Sequence, residues 1–175
     1  MSKTNNRYSF KPNDQLIKLI CPRCQEPLFE CVDSKYTCNR CKSEYPIAEE
    51  IPDLYVDVTS GDLSKKVEQA NIDHYDYNVD QFMSNVVRKD DCYHYEKKMF
   101  KELSKGGGND KILDVGTGTG KLLNLANPHY EKLVGIDVSL NMLKEAKSAA
   151  DYLYRGSVLA LPFASNRFDT VTCYS

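Results

Sequence analysis

The stretch Ile112-Leu113-Asp114-Val115-Gly116-Thr117-Gly118-Thr119-Gly120 decides the fold of this chain. It opens with a short apolar run, typical of a buried strand, which leads through an acidic residue to three alternating glycines. Glycine allows the backbone to turn sharply and to approach a ligand without a Cβ clash. A helix that follows such a turn offers unpaired N–H groups and a positive dipole to an anionic group. The stretch therefore predicts a ligand-binding loop between a strand and a helix.

Strands and helices alternate on the C-terminal side of this loop. A helix is predicted over 119–126, where Pro128 stops it. A second helix follows a capping Ser139 and reaches about Ala150. Further strands are predicted over 133–136, 152–154 and 168–174. Because helices separate the strands, the predicted fold class is α/β, with a parallel sheet and right-handed crossovers.

Three ligand classes compete for the glycine loop. A phosphate-binding P-loop needs four residues between its first glycine and the Gly-Lys pair, followed by Ser or Thr. Here only three residues separate Gly116 from Gly120, and a leucine follows the lysine, which excludes that motif. A dinucleotide fingerprint, Gly-x-Gly-x-x-Gly, would place the third glycine one residue later. The pattern Asp-x-Gly-x-Gly-x-Gly fits every residue from Asp114 onward.

A second acidic residue ends the next predicted strand. Leu133-Val134-Gly135-Ile136-Asp137 is an apolar run that finishes in a carboxylate. A carboxylate at this place can accept hydrogen bonds from both hydroxyls of a ribose. Dinucleotide enzymes also use an acid here, so Asp137 predicts a nucleoside without identifying it. The alternative is a capping or turn aspartate that binds no ligand.

Two further motifs follow the second helix: Gly156-Ser157-Val158-Leu159-Ala160-Leu161-Pro162-Phe163 and Arg167-Phe168-Asp169-Thr170-Val171. With them, residues 111–175 resemble the class I S-adenosylmethionine-dependent methyltransferases, and most of all their small-molecule branch, which includes ubiquinone/menaquinone C-methyltransferases. The resemblance implies a Rossmann-like sheet of seven strands in the order 3-2-1-4-5-7-6, of which this chain contains strands 3-2-1-4. We therefore expect a C-terminally truncated chain, inactive by itself.

The same resemblance implies a set of contacts with S-adenosylmethionine. Asp114 would orient the loop or meet the ammonium group of the cofactor, and Gly116 and Gly118 would face it. Ser157 stands where the family has an aspartate that bonds the adenine amino group, so that contact has less charge assistance here. The residues implied to bind the cofactor are Asp114, Gly116, Thr117, Gly118, Gly120, Asp137, Val138, Ser157, Val158 and Tyr75.

Tyr75 belongs to a predicted helical connector. The apolar residues of this connector recur at roughly helical spacing and predict two or three helices; they are Phe82, Val86, Tyr93, Phe100 and Leu103. The segment His74-Tyr75-Asp76-Tyr77 resembles the aromatic segment that covers the cofactor in many relatives, so the connector is predicted to form a lid. Packing of an amphipathic helix is the alternative for Tyr75. No catalytic residue is assigned, because a general base is required only if the acceptor must lose a proton.

Two Cys-x-x-Cys pairs mark the N-terminal part of the chain. Cys21-Pro22-Arg23-Cys24 is followed, after thirteen residues, by Cys38-Asn39-Arg40-Cys41. Two such turns complete a tetrahedral shell of four thiolates, Cys21, Cys24, Cys38 and Cys41, which suits Zn²⁺ in a closed, structural site. Either pair alone would fit a redox dithiol, but neither lies at the start of a helix in a βαβ unit. Cys31, Cys92 and Cys173 lack partners at ligand spacing and are predicted to be packed cysteines.

The paired cysteines indicate a small, β-rich zinc ribbon. Residues 19–56 resemble a zinc-ribbon family whose members are fused to methyltransferases or act as their small activating partners. They also resemble the N-terminal ribbon of large-subunit rRNA guanine methyltransferases, which implies RNA as an alternative partner. Arg23, Arg40 and Lys42 lie near the predicted metal. They either contact phosphate or offset the charge of the four thiolates.

Composition limits the remaining functions. The chain of 175 residues has a net charge of −2, which argues against non-specific nucleic-acid binding. It has no apolar stretch long enough for a membrane span and no signal core at its N-terminus, so we expect a cytoplasmic protein. The predicted domains are a flexible lead-in (1–15), the zinc ribbon (16–58), the helical connector or lid (59–108) and the incomplete S-adenosylmethionine-binding core (109–175).

Together these features predict methyl transfer from S-adenosylmethionine to a small or medium-sized acceptor, with this chain supplying the cofactor-binding half. One alternative is an RNA base methyltransferase that holds RNA with its zinc ribbon. Another is a non-enzymatic zinc-ribbon module that binds a protein partner. A nicotinamide-dependent oxidoreductase ranks last, because the glycine loop departs from the dinucleotide fingerprint.

Overall fold

A computed structural model describes residues 7–8, 10, 17–28, 31, 33–58, 61–79, 94–103 and 111–174. The predictions for Phe82, Val86, Cys92 and Tyr93 lie outside the described residues. The strands are β1 (Lys35–Thr37), β2 (Glu44–Ala48), β3 (Ile51–Pro52), β4 (Lys111–Val115), β5 (Lys132–Asp137), β6 (Tyr152–Arg155) and β7 (Thr170–Cys173). The helices are α1 (Asp62–Tyr77), α2 (His94–Leu103), α3 (Lys121–Ala126) and α4 (Leu140–Glu145), with 3₁₀ turns at Ala146–Ser148 and Val158–Ala160.

The C-terminal sheet has four strands in the order β6-β5-β4-β7, all parallel. Ile112 on β4 lies opposite Leu133 on β5 and Thr170 on β7. Both central strands are apolar and buried along most of their length, as parallel strands covered on two faces require. The predicted α/β fold class and the predicted strand order 3-2-1-4 are confirmed.

Helices cover one face of this sheet. Phe100 of α2 is fully buried and meets Tyr130 edge to face, with 6.2 Å between ring centroids. As predicted, Ser139 caps α4, its hydroxyl accepting a hydrogen bond of 3.1 Å from the backbone N–H of Met142. Two helix bounds differ from the prediction: α3 begins two residues later than expected because Gly120 has a φ of 80°, and α4 tightens into a 3₁₀ turn from Ala146.

The N-terminal sheet packs against the other face. It is antiparallel, in the order β1-β2-β3, and forms the predicted β-rich part. Its side chains share one apolar cluster with those of the parallel sheet. This cluster includes Tyr36, Tyr45, Leu54, Val56, Leu113, Val134, Ile136, Tyr152, Tyr154 and Phe163. The cysteine-containing segment and the parallel sheet therefore share a core, instead of forming two separate ones.

Arg155, at the end of β6, fastens the two sheets together. Its backbone C=O accepts a hydrogen bond of 2.8 Å from the N–H of Leu54. Its guanidinium donates to Asp53 at 2.7 Å and to the C=O of Val138 at 2.9 Å. The guanidinium also lies over the ring of Tyr55, 5.2 Å from the ring centroid. The N-terminal sheet thus covers the β6 edge of the parallel sheet, which would otherwise be an open strand edge.

The described residues of the lead-in are anchored, although we predicted a flexible segment over 1–15. The Arg7 guanidinium donates two hydrogen bonds to Asp151, of 2.9 and 3.0 Å. Tyr8 is buried, and its hydroxyl donates to the C=O of Glu50 at 2.6 Å. Burial, together with the charge of Glu50, raises the pKa of this tyrosine well above its usual value. A bidentate charge pair and a buried ring hold these two residues against the core.

None of the helices that the structure describes is long and apolar enough to cross a bilayer. The longest is α1, and its 16 residues are mostly polar. A span would require about 20 consecutive apolar residues.

Gly120 is predicted to tolerate no side chain. A Cβ there would lie 2.7 Å from the Cβ of Ala149, in a backbone with a φ of +80°. Left-handed strain and overpacking together should lower the free energy of unfolding of Gly120→Ala by about 2–5 kcal/mol. The matched control is Gly116→Ala, where φ is +74° but a Cβ would meet nothing within 4 Å. Strain alone should cost this control about 1–2 kcal/mol in urea unfolding. Equal losses in the two variants would contradict the packing contribution.

Candidate functional site

The glycine loop joins β4 to α3 at the carboxyl end of the parallel sheet. Gly116 and Gly118 adopt φ values of +74° and +52°, a region that L side chains rarely enter. The N–H groups of Gly116 and Thr117 both donate to the C=O of Ile136, at 2.9 and 3.1 Å. A Cβ at Gly116 or Gly118 would meet nothing within 4 Å, so these two positions face open space. The loop is therefore fixed to β5 on one side and open on the other.

Asp137 ends β5 directly beside this loop. Its two carboxylate oxygens accept hydrogen bonds from the N–H of Gly118, at 2.8 Å, and of Ser139, at 2.9 Å. Burial raises the pKa of Asp137, and these backbone hydrogen bonds oppose the rise. The carboxylate lies at the strand end that the ribose hypothesis requires. It also forms the turn contacts that the alternative interpretation of this aspartate predicts.

Asp114 lies inside the sheet, with 2% of its surface exposed. Its carboxylate accepts a hydrogen bond of 2.7 Å from the hydroxyl of Thr172 on β7. Burial raises the pKa of Asp114, which the Thr172 hydrogen bond partly offsets. Asp114 therefore braces β4 against β7 immediately below the loop. Thr172 was not among the predicted site residues; its only sequence signal is its place near the end of an apolar strand.

Helix α1 lies across the edge where the parallel strands end. Near its C-terminus, the Asp76 carboxylate accepts hydrogen bonds from the Ser139 hydroxyl and, at 3.2 Å, from the N–H of Asn141. In its middle, the Glu68 carboxylate accepts a hydrogen bond of 2.8 Å from the Ser157 hydroxyl. The connector is thus attached to the start of α4 and to the residue that follows Gly156. These contacts place α1 beside the carboxyl ends of β5 and β6.

The remaining predicted cofactor residues differ in position. Ser157 is buried, and its hydroxyl accepts from the N–H of Leu159 at 3.2 Å, whereas the Val158 side chain is 58% exposed. Val138 contributes its C=O to Arg155. Tyr75 is 42% exposed, and its ring meets His74 edge-on at 5.3 Å. The helix that carries Tyr75 is attached to the sheet end by Glu68 and Asp76, which the sequence prediction did not select.

The four paired cysteines form one cluster. Their Sγ atoms all lie within 4.8 Å of one another, with 3.6 Å between Cys21 and Cys41 and 3.4 Å between Cys24 and Cys38. A tetrahedral zinc site with Zn–S bonds of about 2.3 Å has sulfur atoms about 3.8 Å apart. Hydrogen bonds to Ser43 lower the pKa of the Cys41 thiol to about 6. The donor set fits Zn²⁺.

Two equivalent turns build this cluster. In the first, the N–H of Gln25 donates to the C=O of Cys21 at 2.8 Å, and in the second that of Lys42 donates to Cys38 at 2.9 Å. Gln25 and Lys42 both have positive φ values, 65° and 60°. Each Cys-x-x-Cys pair therefore closes in the same way and presents two sulfur atoms to one point. The Tyr45 hydroxyl lies 3.0 Å from Cys21 Sγ in the buried interior, where it can orient that ligand.

Cys31, Cys173 and Arg40 lie outside the cluster of four sulfur atoms. Cys31 is partly buried. Cys173 is exposed on β7, so the prediction that Cys173 is a packed cysteine is wrong. The position of β7 at the edge of the described sheet explains this exposure. Arg40 pairs with Glu26 of the other turn at 3.0 Å. That ion pair favours a structural role for Arg40 over contact with phosphate.

The parallel sheet and its glycine loop lie in the part of the chain that matches a known family. Residues 112–175 match the family of proteins described as "Methyltransferase domain". The strand order β6-β5-β4-β7 agrees with the Rossmann-like sheet expected for such a domain.

Two curated relatives are similar to part of this chain. One is demethylmenaquinone methyltransferase of Staphylococcus saprophyticus, which is 32% identical over 98 residues, or 51% of this chain and 42% of the relative. The other is the uncharacterized methyltransferase YcgJ of Bacillus subtilis, 29% identical over 70 residues, or 36% of this chain and 28% of the relative. The chain spans less than half the length of these relatives.

Solved structures overlap with this chain only partly. One is S-adenosylmethionine-bound CalS10, an amino pentose methyltransferase from Micromonospora echinaspora involved in calicheamicin biosynthesis. Its sequence identity with this chain is 20% and the TM-score is 0.47. The matched region covers 54% of this chain and 41% of CalS10. Another is an S-adenosylmethionine-dependent methyltransferase from Clostridium acetobutylicum, with 24% identity and a TM-score of 0.42, covering 55% of this chain and 43% of that one.

Proposed function

We propose that this chain supplies the S-adenosylmethionine-binding half of an enzyme that transfers a methyl group to a small or medium-sized acceptor. One observation carries the proposal. An open loop of positive-φ glycines and a strand-end carboxylate, Asp137, meet at the carboxyl edge of the parallel sheet. In open α/β sheets, ligands bind in the crevice outside the carboxyl ends of the strands.

The residues of this crevice fit the parts of the cofactor. Asp137 would accept hydrogen bonds from the ribose hydroxyls, because its carboxylate lies at the end of β5 beside the glycine loop. The N–H of Gly118 holds the carboxylate in that position. The open faces of Gly116 and Gly118 would admit the methionine portion without a Cβ clash. Because the N–H groups of Gly116, Thr117 and Gly118 are used within the loop, donors to the cofactor's carboxylate would come from the first turn of α3.

S-Adenosylmethionine supplies an activated methyl group on a sulfonium, so the protein's task is alignment and exclusion of water. Orientation of two reactants can lower a barrier by roughly 7–11 kcal/mol. Helix α1, held by Asp76 and Glu68, would cover the crevice and exclude water from it. Asp114 would keep the loop in place through its hydrogen bond to Thr172. No general base is assigned.

The zinc ribbon has a structural part in this proposal. Cys21, Cys24, Cys38 and Cys41 would hold one Zn²⁺ in a closed shell, which leaves no coordination position for a substrate. The ion would fix a unit whose own strands are only two to five residues long. That unit covers the β6 edge and contributes to the core of the parallel sheet.

Calorimetric titration of the chain with S-adenosylmethionine, and separately with NADH, tests the proposed function. We expect saturable binding of S-adenosylmethionine and none of NADH, because the loop lacks the spacing that accommodates a pyrophosphate. S-Adenosylhomocysteine, which has no sulfonium charge, serves as a second ligand for the same crevice. Binding of NADH without binding of either sulfur compound would refute the proposal.

A further inference from the structure

The C-terminal end of α1 is hydrogen-bonded to the start of α4. The Asp76 carboxylate accepts one hydrogen bond from the Ser139 hydroxyl and another, of 3.2 Å, from the N–H of Asn141. The backbone C=O of Asp76 accepts a further one, of 3.3 Å, from the side-chain amide of Asn141. Helix α4 has only six residues and tightens into a 3₁₀ turn from Ala146. Because so short a helix has little stability of its own, the contacts from α1 fix the position of its first turn.

Ser139 connects Asp76 to the carboxylate that ends β5. Ser139 is fully buried, and while its hydroxyl donates to Asp76, its N–H donates to one oxygen of Asp137 at 2.9 Å. The other oxygen of Asp137 accepts from the N–H of Gly118 at 2.8 Å. A continuous chain of hydrogen bonds therefore runs from α1 through Ser139 and Asp137 to the glycine loop. The orientation of the Asp137 side chain depends on where Ser139 is held.

Electrostatic repulsion between the two carboxylates opposes this arrangement. Burial raises the pKa of Asp137, and the charge of Asp76 adds a smaller increase, so the two groups lie close to each other. Like charges at short range repel each other. Ser139 lies between them and gives a donor to each, its hydroxyl to Asp76 and its N–H to Asp137. The serine thus keeps two repelling groups in fixed positions.

We propose that Asp76 is a positioning residue for the cofactor crevice: through Ser139 it holds the Asp137 carboxylate in the orientation that the two ribose hydroxyls require. The inference rests on the proposed function and assigns α1 a part in recognition of the ribose. Asp76 acts here without any contact with the cofactor. Removal of its carboxylate should therefore weaken only those interactions that depend on Asp137.

Two ligands that differ only in the ribose hydroxyls test this role. S-Adenosylhomocysteine and its 2′,3′-dideoxy analogue are titrated into the full chain by calorimetry, the weaker ligand by competition. The wild-type chain should bind S-adenosylhomocysteine at least about 100-fold more tightly, because the analogue lacks both hydroxyls that Asp137 is proposed to bind. In Asp76→Ala the ratio of the two dissociation constants should fall at least about fivefold, because a misdirected carboxylate forms weaker hydrogen bonds. Affinity for the analogue itself should change by less than about threefold, since it offers Asp137 no donor.

Three further variants secure the interpretation. Asp76→Asn keeps an oxygen that can accept from Ser139 and Asn141, so its ratio should remain within about threefold of wild type. Asp73→Ala removes a carboxylate from the exposed side of the same helix, where it accepts from Gln69 at 2.7 Å, and should retain the wild-type ratio. Ser139→Ala removes the hydroxyl but keeps the N–H that donates to Asp137. This last variant, whose ratio should also fall at least about fivefold, decides the matter if thermal unfolding shows that Asp76→Ala is not folded.

The outcomes separate the positioning role from the proposed function. An unchanged ratio in folded Asp76→Ala, or in Ser139→Ala if the first variant does not fold, would overturn the role of Asp76 while S-adenosylhomocysteine binding sustains the proposed function. Equal weakening of both compounds would overturn it too, because a merely structural contact affects both alike. A wild-type chain that binds the two compounds equally would also overturn it. Binding of neither compound to the wild-type chain would remove the proposed function and, with it, this inference.

Discussion

Replacement of Cys38 by serine is expected to cause a large loss of zinc affinity. Structural zinc sites contribute roughly 10–16 kcal/mol to folding, so one of four ligands is worth about 3–4 kcal/mol, or two to three orders of magnitude in affinity. Cys38 is fully buried in the cluster, where a serine hydroxyl is a poor substitute for a thiolate. Metal analysis should therefore find about one zinc per wild-type chain and much less in Cys38→Ser.

The effect on stability should extend beyond the ribbon. Tyr36 and Tyr45 of the ribbon share an apolar cluster with Tyr152 and Tyr154 of the parallel sheet. A ribbon unfolded by loss of metal would uncover that face and the β6 edge. Thermal unfolding with and without a chelator should consequently show a lower midpoint for the whole chain when zinc is removed.

Cys31→Ser is the matched control for this prediction. Cys31 lies in the same part of the chain and is partly buried, but it is outside the cluster of four sulfur atoms. This variant should retain its zinc and its response to the chelator. A wild-type chain that is folded without metal, or a Cys38→Ser variant that retains one tightly bound zinc, would contradict the assignment.

Asp137→Ala should weaken S-adenosylmethionine binding by at least about 100-fold. A hydrogen bond to a charged group contributes about 1.5–3 kcal/mol, and the carboxylate is proposed to accept two from the ribose. The variant also loses the contacts of Asp137 with Gly118 and Ser139, which position the loop and the start of α4. Calorimetry measures the affinity, and thermal unfolding of the ligand-free variant separates lost binding from lost stability.

Asp169→Ala provides the comparison for Asp137→Ala. Its carboxylate also accepts a hydrogen bond from the backbone, from the N–H of Lys111 at 2.8 Å, but at the opposite end of the sheet. We expect this variant to lose some stability and to bind S-adenosylmethionine as wild type does. Unchanged affinity in Asp137→Ala would refute its ribose role and leave it as a turn residue of the apo structure.

Local sequence patterns carried enough information to predict the parallel sheet and its loop. The apolar runs around Ile112 and Leu133 predict buried strands because both faces of a parallel strand are covered. Three alternating glycines predict a turn because glycine, which has no Cβ, adopts positive φ values without a steric penalty. Spacing within each Cys-x-x-Cys pair likewise places two sulfur atoms on one turn. All these signals lie within a few residues of one another along the chain.

The tertiary structure decided how these pieces are joined. Glu68 reaches Ser157, and Asp53 reaches Arg155, across 89 and 102 residues of sequence. No periodicity or spacing links residues so distant along the chain, because such pairs meet only after the sheets and helices have packed. Sequence alone thus determined the glycine loop, its acidic neighbour and the four thiols. Packing determined which residues of the connector contact the end of the parallel sheet and that the N-terminal sheet shares its core.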